Sequence, residues 1–133
     1  MKDVSRFIGV TIDCPAITAY EFTVTPENLP QWASGLGEGC RNADGSWTSA
    51  MEIGEVTLTF TPKNDLGVCD HDVRLPDGTT FHNPMRVTPN SDARCDVSFT
   101  LKRLPDATDE EFERDAVTIE KDLLTLKEIL EKK

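Results

Sequence analysis

The stretch 108-TDEEFERDAVTIEKDLLTLKEIL-130 predicts one long amphipathic helix. Thr108 and Glu111 have the spacing of a capping box, in which each side chain bonds the backbone N–H of the other residue. Apolar residues then recur at every third or fourth position and share one side of the helix: Phe112, Ala116, Ile119, Leu123, Leu126 and Leu130. A helix with one apolar face must bury it against another layer of structure, which the rest of the chain has to supply.

That layer is predicted to be a set of short strands, because apolar and polar residues alternate along several segments. The clearest is 56–61, in which Val56, Leu58 and Phe60 alternate with threonines. The other segments are 47–53, 67–75, 79–87 and 94–102. Turns are predicted at Pro76-Asp77-Gly78 and at 89–92, since proline and glycine favour the backbone angles of a turn. We expect these strands to form an antiparallel meander with one face exposed to solvent.

The N-terminal segments complete the predicted element order. Residues 4–12 predict a first strand, and 15–23 a short helix with Ile17, Tyr20 and Phe22 towards its buried side. Residues 26–34 predict two short helical turns, which end at the glycines of 35–39. The order is strand, two short helices, antiparallel strands and one long helix. We therefore expect an α+β fold in a single domain over 1–133.

Composition excludes several classes of function. There are 14 Lys+Arg against 24 Asp+Glu, a net charge of -10, which argues against a nucleic-acid-binding protein. Neither a signal peptide nor an apolar run of membrane-spanning length is present, so we expect a cytoplasmic protein. The four cysteines form no CxxC pair and are predicted to be free thiols, mostly buried. Nucleotide-binding and zinc-protease motifs are absent, and no cofactor or metal is expected.

Five segments carry a family resemblance: IDCPA at 12–16, TPENLPQWA at 25–33, FTL at 99–101, TDEEF at 108–112 and DLLTLK at 122–127. Together they resemble the START-like (SRPBCC) superfamily, and most of all its small bacterial polyketide cyclase/dehydrase branch. The resemblance covers nearly the whole chain. It implies a helix-grip fold, in which a curved antiparallel sheet wraps around a long C-terminal helix, with a cavity between sheet and helix. No catalytic motif can be carried over.

Two polar residues fall on the inward phase of the predicted strands, His71 and Asn83. The other histidine, His82, is predicted to face water. Asp70 and Asp72 point away from the face of His71, so the three residues are not expected to form a metal site. The predicted ligand-binding residues are those expected to face the cavity: Tyr20, Trp32, Trp47, Met51, His71, Phe81, Asn83, Met85 and Phe99.

The leading hypothesis is a protein that binds a small hydrophobic or aromatic molecule between its sheet and its C-terminal helix. One alternative is a polyketide cyclase or dehydratase type of enzyme, with His71 as general acid/base and Asn83 or Tyr20 as a polarising donor. Another is an interaction module whose cavity is filled by its own side chains. The sequence leaves the ligand and the oligomeric state open.

Overall fold

A computed structural model describes residues 4–132 of the protein. Within these residues, three helices and eight strands follow one another, with a 3₁₀ turn at Pro26–Asn28 before the second helix. They are β1 (Ser5–Ile12), α1 (Ala16–Thr23), α2 (Leu29–Trp32), β2 (Gly39–Arg41), β3 (Trp47–Met51), β4 (Gly54–Phe60), β5 (His71–Arg74), β6 (Thr80–Asn83), β7 (Met85–Ser91), β8 (Arg94–Lys102) and α3 (Asp109–Glu131). The predicted order of elements is confirmed.

The curved antiparallel sheet is divided into two parts. One part has the strand order β1-β8-β7, and the other has the order β2-β3-β4-β5-β6. The division falls at Pro84, so the single strand predicted over 79–87 is wrong: β6 ends before Pro84 and β7 begins after it. Proline has no N–H to donate to a neighbouring strand, and the chain crosses there from one part to the other.

Residues 67–69 fasten the two parts together beside Pro84. The backbone N–H of Cys69 donates to Met85, and that of Val87 donates to Gly67. Gly67 has a φ of +74°, and a Cβ atom at this position would lie 2.0 Å from the carbonyl oxygen of Val87. Only glycine combines this backbone angle with so close an approach.

Helix α3 supplies the second layer. The capping box of Thr108 and Glu111 is present, and the predicted apolar face is buried except at Ile119, which is half-buried. The helix packs against β1 and β8, which confirms the helix-grip class. Asp122, on the same side of the helix, is also buried and accepts hydrogen bonds from the backbone N–H and hydroxyl of Ser34. Burial raises the pKa of the Asp122 carboxyl, and its contact fastens the segment after α2 to α3.

Three local predictions are wrong. Ile17 is 63% exposed rather than buried, because Ala19, Tyr20, Phe22 and Thr23 form the inner side of α1. Ile53, predicted at the end of a strand over 47–53, lies in the β3–β4 turn and is exposed. The turn predicted at 89–92 lies at 92–93, since β7 continues through an irregular pairing to Ser91.

The four cysteines are free, as predicted, and Cys40 alone among them is exposed. Burial raises the pKa of Cys69 and of Cys95 to about 12, so both are protonated at neutral pH. Between residues 4 and 132, no helix is long and apolar enough to cross a membrane.

Candidate functional site

A groove opens where β6 and β8 separate. Their last connection near the sheet junction is a hydrogen bond from the backbone N–H of Thr100 to the carbonyl of Pro84. Beyond it, β6 is the outer strand of one part of the sheet, while Leu101 and Lys102 at the end of β8 pair with β1 and, among the described residues, not with β7. The space between them, the β6–β8 groove, has a volume of about 340 Å³ and reaches α3 at Asp115.

The walls of the groove are mainly apolar. Val73 and Phe81 are cross-strand partners on β5 and β6 and form one wall. Leu101 and Leu104, at the end of β8 and just after it, form the other. Phe81 and Leu104 also line an adjoining pocket of about 390 Å³, at the loop before α3. The groove therefore continues towards the start of the long helix.

Of the described residues, five polar ones line the groove beside this apolar surface, and Asn83 and Asp115 are the two on which the proposed function rests. Asn83 ends β6, and Asp115 projects from α3, where it lines both the groove and the adjoining pocket. Partial burial raises the pKa of the Asp115 carboxyl, with Arg114 acting in the opposite direction. Lys102 lines the groove as well, so both signs of charge are available at its rim.

His71 is the cross-strand partner of Asn83 and lies on β5, on the side of β6 that faces away from β8. Its side chain is buried between two phenylalanines, with ring centroids 5.3 Å from Phe60 and 6.0 Å from Phe99. Nδ1 is 3.1 Å from the carbonyl oxygen of Cys69. A carbonyl only accepts, so Nδ1 carries the hydrogen, and Nε2 is an acceptor when the ring is neutral. Burial lowers the pKa of His71, which favours that neutral form.

Several proteins of known structure have a similar fold at low sequence identity. No protein-family model matches the sequence, and no curated protein matches it. Solved structures do match: a START superfamily protein from Mycobacterium smegmatis has a TM-score of 0.70 at 16% identity, over 98% of this chain and 99% of that one. A conserved protein from Geobacillus kaustophilus has a TM-score of 0.77 at 10% identity, over 97% and 96%. The protein has a START-like fold.

A two-domain aromatase/cyclase (ARO/CYC), BexL from the BE-7585A biosynthetic pathway, has the same START-like fold. Its TM-score is 0.70 at 14% identity, over 96% of this chain and 46% of BexL, so the chain corresponds to about half of that protein. At these identities the likeness concerns the fold. Which residues of this chain act on a ligand has to be argued from its own geometry.

Within this START-like fold, the predicted ligand-binding residues do not converge on one place. Phe81 and Asn83 line the β6–β8 groove. His71 and Phe99 do not line it, but their rings are neighbours of each other. Trp32, Trp47 and Met85 are buried in the core, and Met51 is half-buried. The indole N–H groups of both tryptophans have no hydrogen-bond partner within 4–132.

Tyr20 lies at a separate pocket of about 240 Å³, between α1 and the 64–67 loop. Its hydroxyl oxygen accepts a hydrogen bond of 2.9 Å from the backbone N–H of Asn64. Exposed Ile17 and Leu66 line the same pocket. Tyr20 therefore fixes the conformation of a loop and does not face the β6–β8 groove.

A charged cluster that was not predicted from the sequence lies on the outer face of β5 and β6 and includes Asp70 before β5 and Arg86 on β7. His71 is buried and His82 exposed, as their strand phase predicts, but the two aspartates converge on His82. Nδ1 of His82 is 2.7 Å from Asp72, and Nε2 is 3.5 Å from Asp70. Asp70 is buried and binds Arg86 through both carboxylate oxygens. This cluster stabilises the junction between the two parts of the sheet, and His82 also lines the rim of the β6–β8 groove.

Val73, Leu101, Leu104, Lys102 and Asp115 also line the groove and were not predicted as ligand-binding residues. Val73 and Leu101 lie two residues after His71 and Phe99 in the alternating segments, and this spacing puts each on the same face as its predicted neighbour. The sequence gives no sign that Asp115 lines a groove, because Asp115 lies off the apolar stripe of α3 among many other acidic residues.

Proposed function

We propose that the protein binds a small hydrophobic or aromatic molecule in the β6–β8 groove. The observation that carries the proposal is the groove itself, whose apolar walls of Val73, Phe81 and Leu101 meet the polar side chains of Asn83 and Asp115. Small-molecule sites typically combine apolar walls with a few polar groups that orient the ligand, in volumes from about 300 Å³ upward. The START-like fold supports the proposal by analogy.

The polar groups favour a ligand that carries a hydroxyl or N–H group. Asn83 offers both a donor and an acceptor at the groove surface. A ligand that displaces or passes the Asn83 amide approaches His71, whose Nε2 makes no hydrogen bond within the described residues. A neutral histidine bound through Nδ1–H to Cys69 accepts a hydrogen bond at Nε2, so a ligand hydroxyl is the matching group.

The proposal is tested with 2-naphthol as the probe and naphthalene as its counterpart without a hydroxyl. Amide NMR spectra are recorded during each titration. We expect shifts at residues 80–83 and 101–104 with both probes, and tighter binding of 2-naphthol. Asn83→Ala and His71→Leu should lower affinity for 2-naphthol by about tenfold, the typical effect of one hydrogen bond, and leave naphthalene binding unchanged.

Ile53→Ser is the control, because Ile53 is exposed in the β3–β4 turn and lines none of these pockets. It should bind both probes like the unmodified protein. Shifts confined to Tyr20 and Leu66 would move the site to the pocket beside α1, and absence of shifts with both probes would contradict the proposal. The enzymatic and filled-cavity alternatives stay predictions. Native mass spectrometry separates the filled-cavity case, since a co-purified small molecule excludes it.

A further inference from the structure

Exposed apolar side chains cluster on the flank formed by β1 and α3. Val4 and Phe7 are 70% and 81% exposed, and Val117 and Leu124 on α3 are 50% and 52% exposed. A shallow pocket of about 320 Å³ runs between the two elements and includes Phe7 and Leu124. Large apolar groups gathered on one surface mark an interaction site more often than scattered ones do.

At Phe7 and Gly9, the outer edge of β1 offers backbone groups that no other residue within 4–132 pairs with, whereas the carbonyl of Thr11 on the same edge already accepts from Lys127. β1 is the terminal strand of its part of the sheet. The backbone N–H of Arg103 donates to Val4, so even-numbered residues of β1 face β8. Phe7 and Gly9 therefore direct their N–H and C=O groups outward. Such an edge readily accepts another strand.

One side of α3 lies above that edge and runs in the same direction. Glu113 forms an ion pair with Arg6, and Nζ of Lys127 donates to the carbonyl of Thr11 at 2.7 Å. The residues on this side at helical spacing are Glu113, Val117, Glu120, Leu124 and Lys127. The middle of β1, at Ile8, therefore lies below the part of α3 near Glu120.

We infer that this flank binds a second copy of the chain, through antiparallel pairing of two β1 strands about a twofold axis at Ile8. With that register, Phe7 forms a hydrogen-bonded pair with Gly9 of the partner subunit, and Gly9 with Phe7 of the partner subunit. Both residues lie on the outer face of the sheet, where the phenylalanine ring covers the bare glycine backbone. The exposed aromatic residue and the glycine thus complement each other.

The same axis makes the two α3 helices antiparallel neighbours. Val117 then faces Leu124 of the partner subunit, and Glu113 faces Lys127 of the partner subunit. Each of these apolar residues meets an apolar residue. Glu113 and Lys127, which pair with Arg6 and Glu131 within one chain, also meet a residue of opposite charge, and every contact occurs twice by symmetry. Glu120 is the exception, since it lies beside the axis and faces Glu120 of the partner subunit, which has the same charge. A surface that matches itself under a twofold rotation favours a second copy over an unrelated protein.

Sedimentation velocity over a series of concentrations tests the inference. We expect the dimer fraction to rise with concentration from the monomer mass of 14.8 kDa. Phe7→Ser and Leu124→Lys should each raise the dissociation constant about tenfold or more, because each removes two buried apolar side chains from the dimer. Glu120→Gln should lower it about two- to fivefold, since it relieves like-charge repulsion at the axis. Leu66→Ser is the control, because Leu66 is 78% exposed elsewhere and should change nothing.

Hydrogen exchange identifies the edge. The amides of Phe7 and Gly9 should become protected as concentration rises, whereas Ile8 and Val10, which face β8, should be protected throughout. A protein that stays monomeric up to about 1 mM, where weak contacts already form, overturns the inference. So does a dimer that Phe7→Ser leaves intact, or one in which the Phe7 and Gly9 amides exchange as in the monomer.

Discussion

Asp70 should stabilise the junction between the two parts of the sheet, and Asp70→Asn measures by how much. Its carboxylate accepts hydrogen bonds from the backbone N–H of Met85 at 2.8 Å and from Arg86 at 2.9 and 2.8 Å. The side chain is 10% exposed. The hydrogen bonds from Arg86 lower the pKa of Asp70 from 3.8 to about 2.

The lowered pKa fixes both the size and the pH dependence of the effect. A difference of nearly two pKa units corresponds to about 2 kcal/mol of stability. Because the folded state favours the charged form, this contribution is complete above about pH 5 and is lost as the pH falls towards 2. Asp70→Asn keeps an acceptor but loses the charge. It should therefore lower the free energy of unfolding by about 2 kcal/mol at pH 7 and by much less near pH 2.

Urea unfolding, followed by tryptophan fluorescence at several pH values, measures this difference. Glu27→Gln is the matched control, since Arg41 also lowers the pKa of Glu27 to about 2. That pair is half-exposed on both sides, so its loss should cost well under 1 kcal/mol. Equal losses for the two variants, or a loss for Asp70→Asn that does not shrink in acid, would refute the reasoning.

Two further predictions concern packing and thiol reactivity. Leu123→Ala should lower the free energy of unfolding by about 2–5 kcal/mol, because Leu123 is 1% exposed. Glu120→Ala should lower it by under about 1 kcal/mol. Equal losses in urea unfolding would mean that the buried face of α3 is assigned wrongly. With a thiol reagent that absorbs light on reaction, one thiol (exposed Cys40) should react quickly in the folded protein and all four after unfolding without reductant. Fewer than four after unfolding would indicate a disulfide.

The sequence predicted the elements whose signals are local. Thr108, Glu111 and the apolar face of α3 are readable because caps and helical spacing act within a few residues. The inward phase of His71 and the outward phase of His82 follow from alternation along single strands.

Features that depend on distant pairing were not predictable in this way. Asp70 has the outward phase of a wet strand face, yet it is buried because residues 67–69 pair with β7. Pro84 carried a signal, its missing N–H, that the uninterrupted alternation of 79–87 concealed. Asp115 meets the groove only because β6 and β8 separate, which depends on the crossing at Pro84.

The two parts of the sheet are joined at only one end of the β6–β8 groove, and this should affect which ligands the groove accepts. Near Pro84 and Gly67 the two parts are joined by backbone hydrogen bonds, whereas within 4–132 none joins β6 to β8 beyond Thr100. Moving β6 and β8 apart beyond Thr100 therefore breaks no backbone hydrogen bond between these strands. Lengthening the groove towards Pro84 would break several of the bonds that join the two parts there. The protein should tolerate ligands of different thickness more readily than ligands that reach deeper towards Pro84. A series of flat and bulky aromatic compounds of equal length would show this as similar affinities.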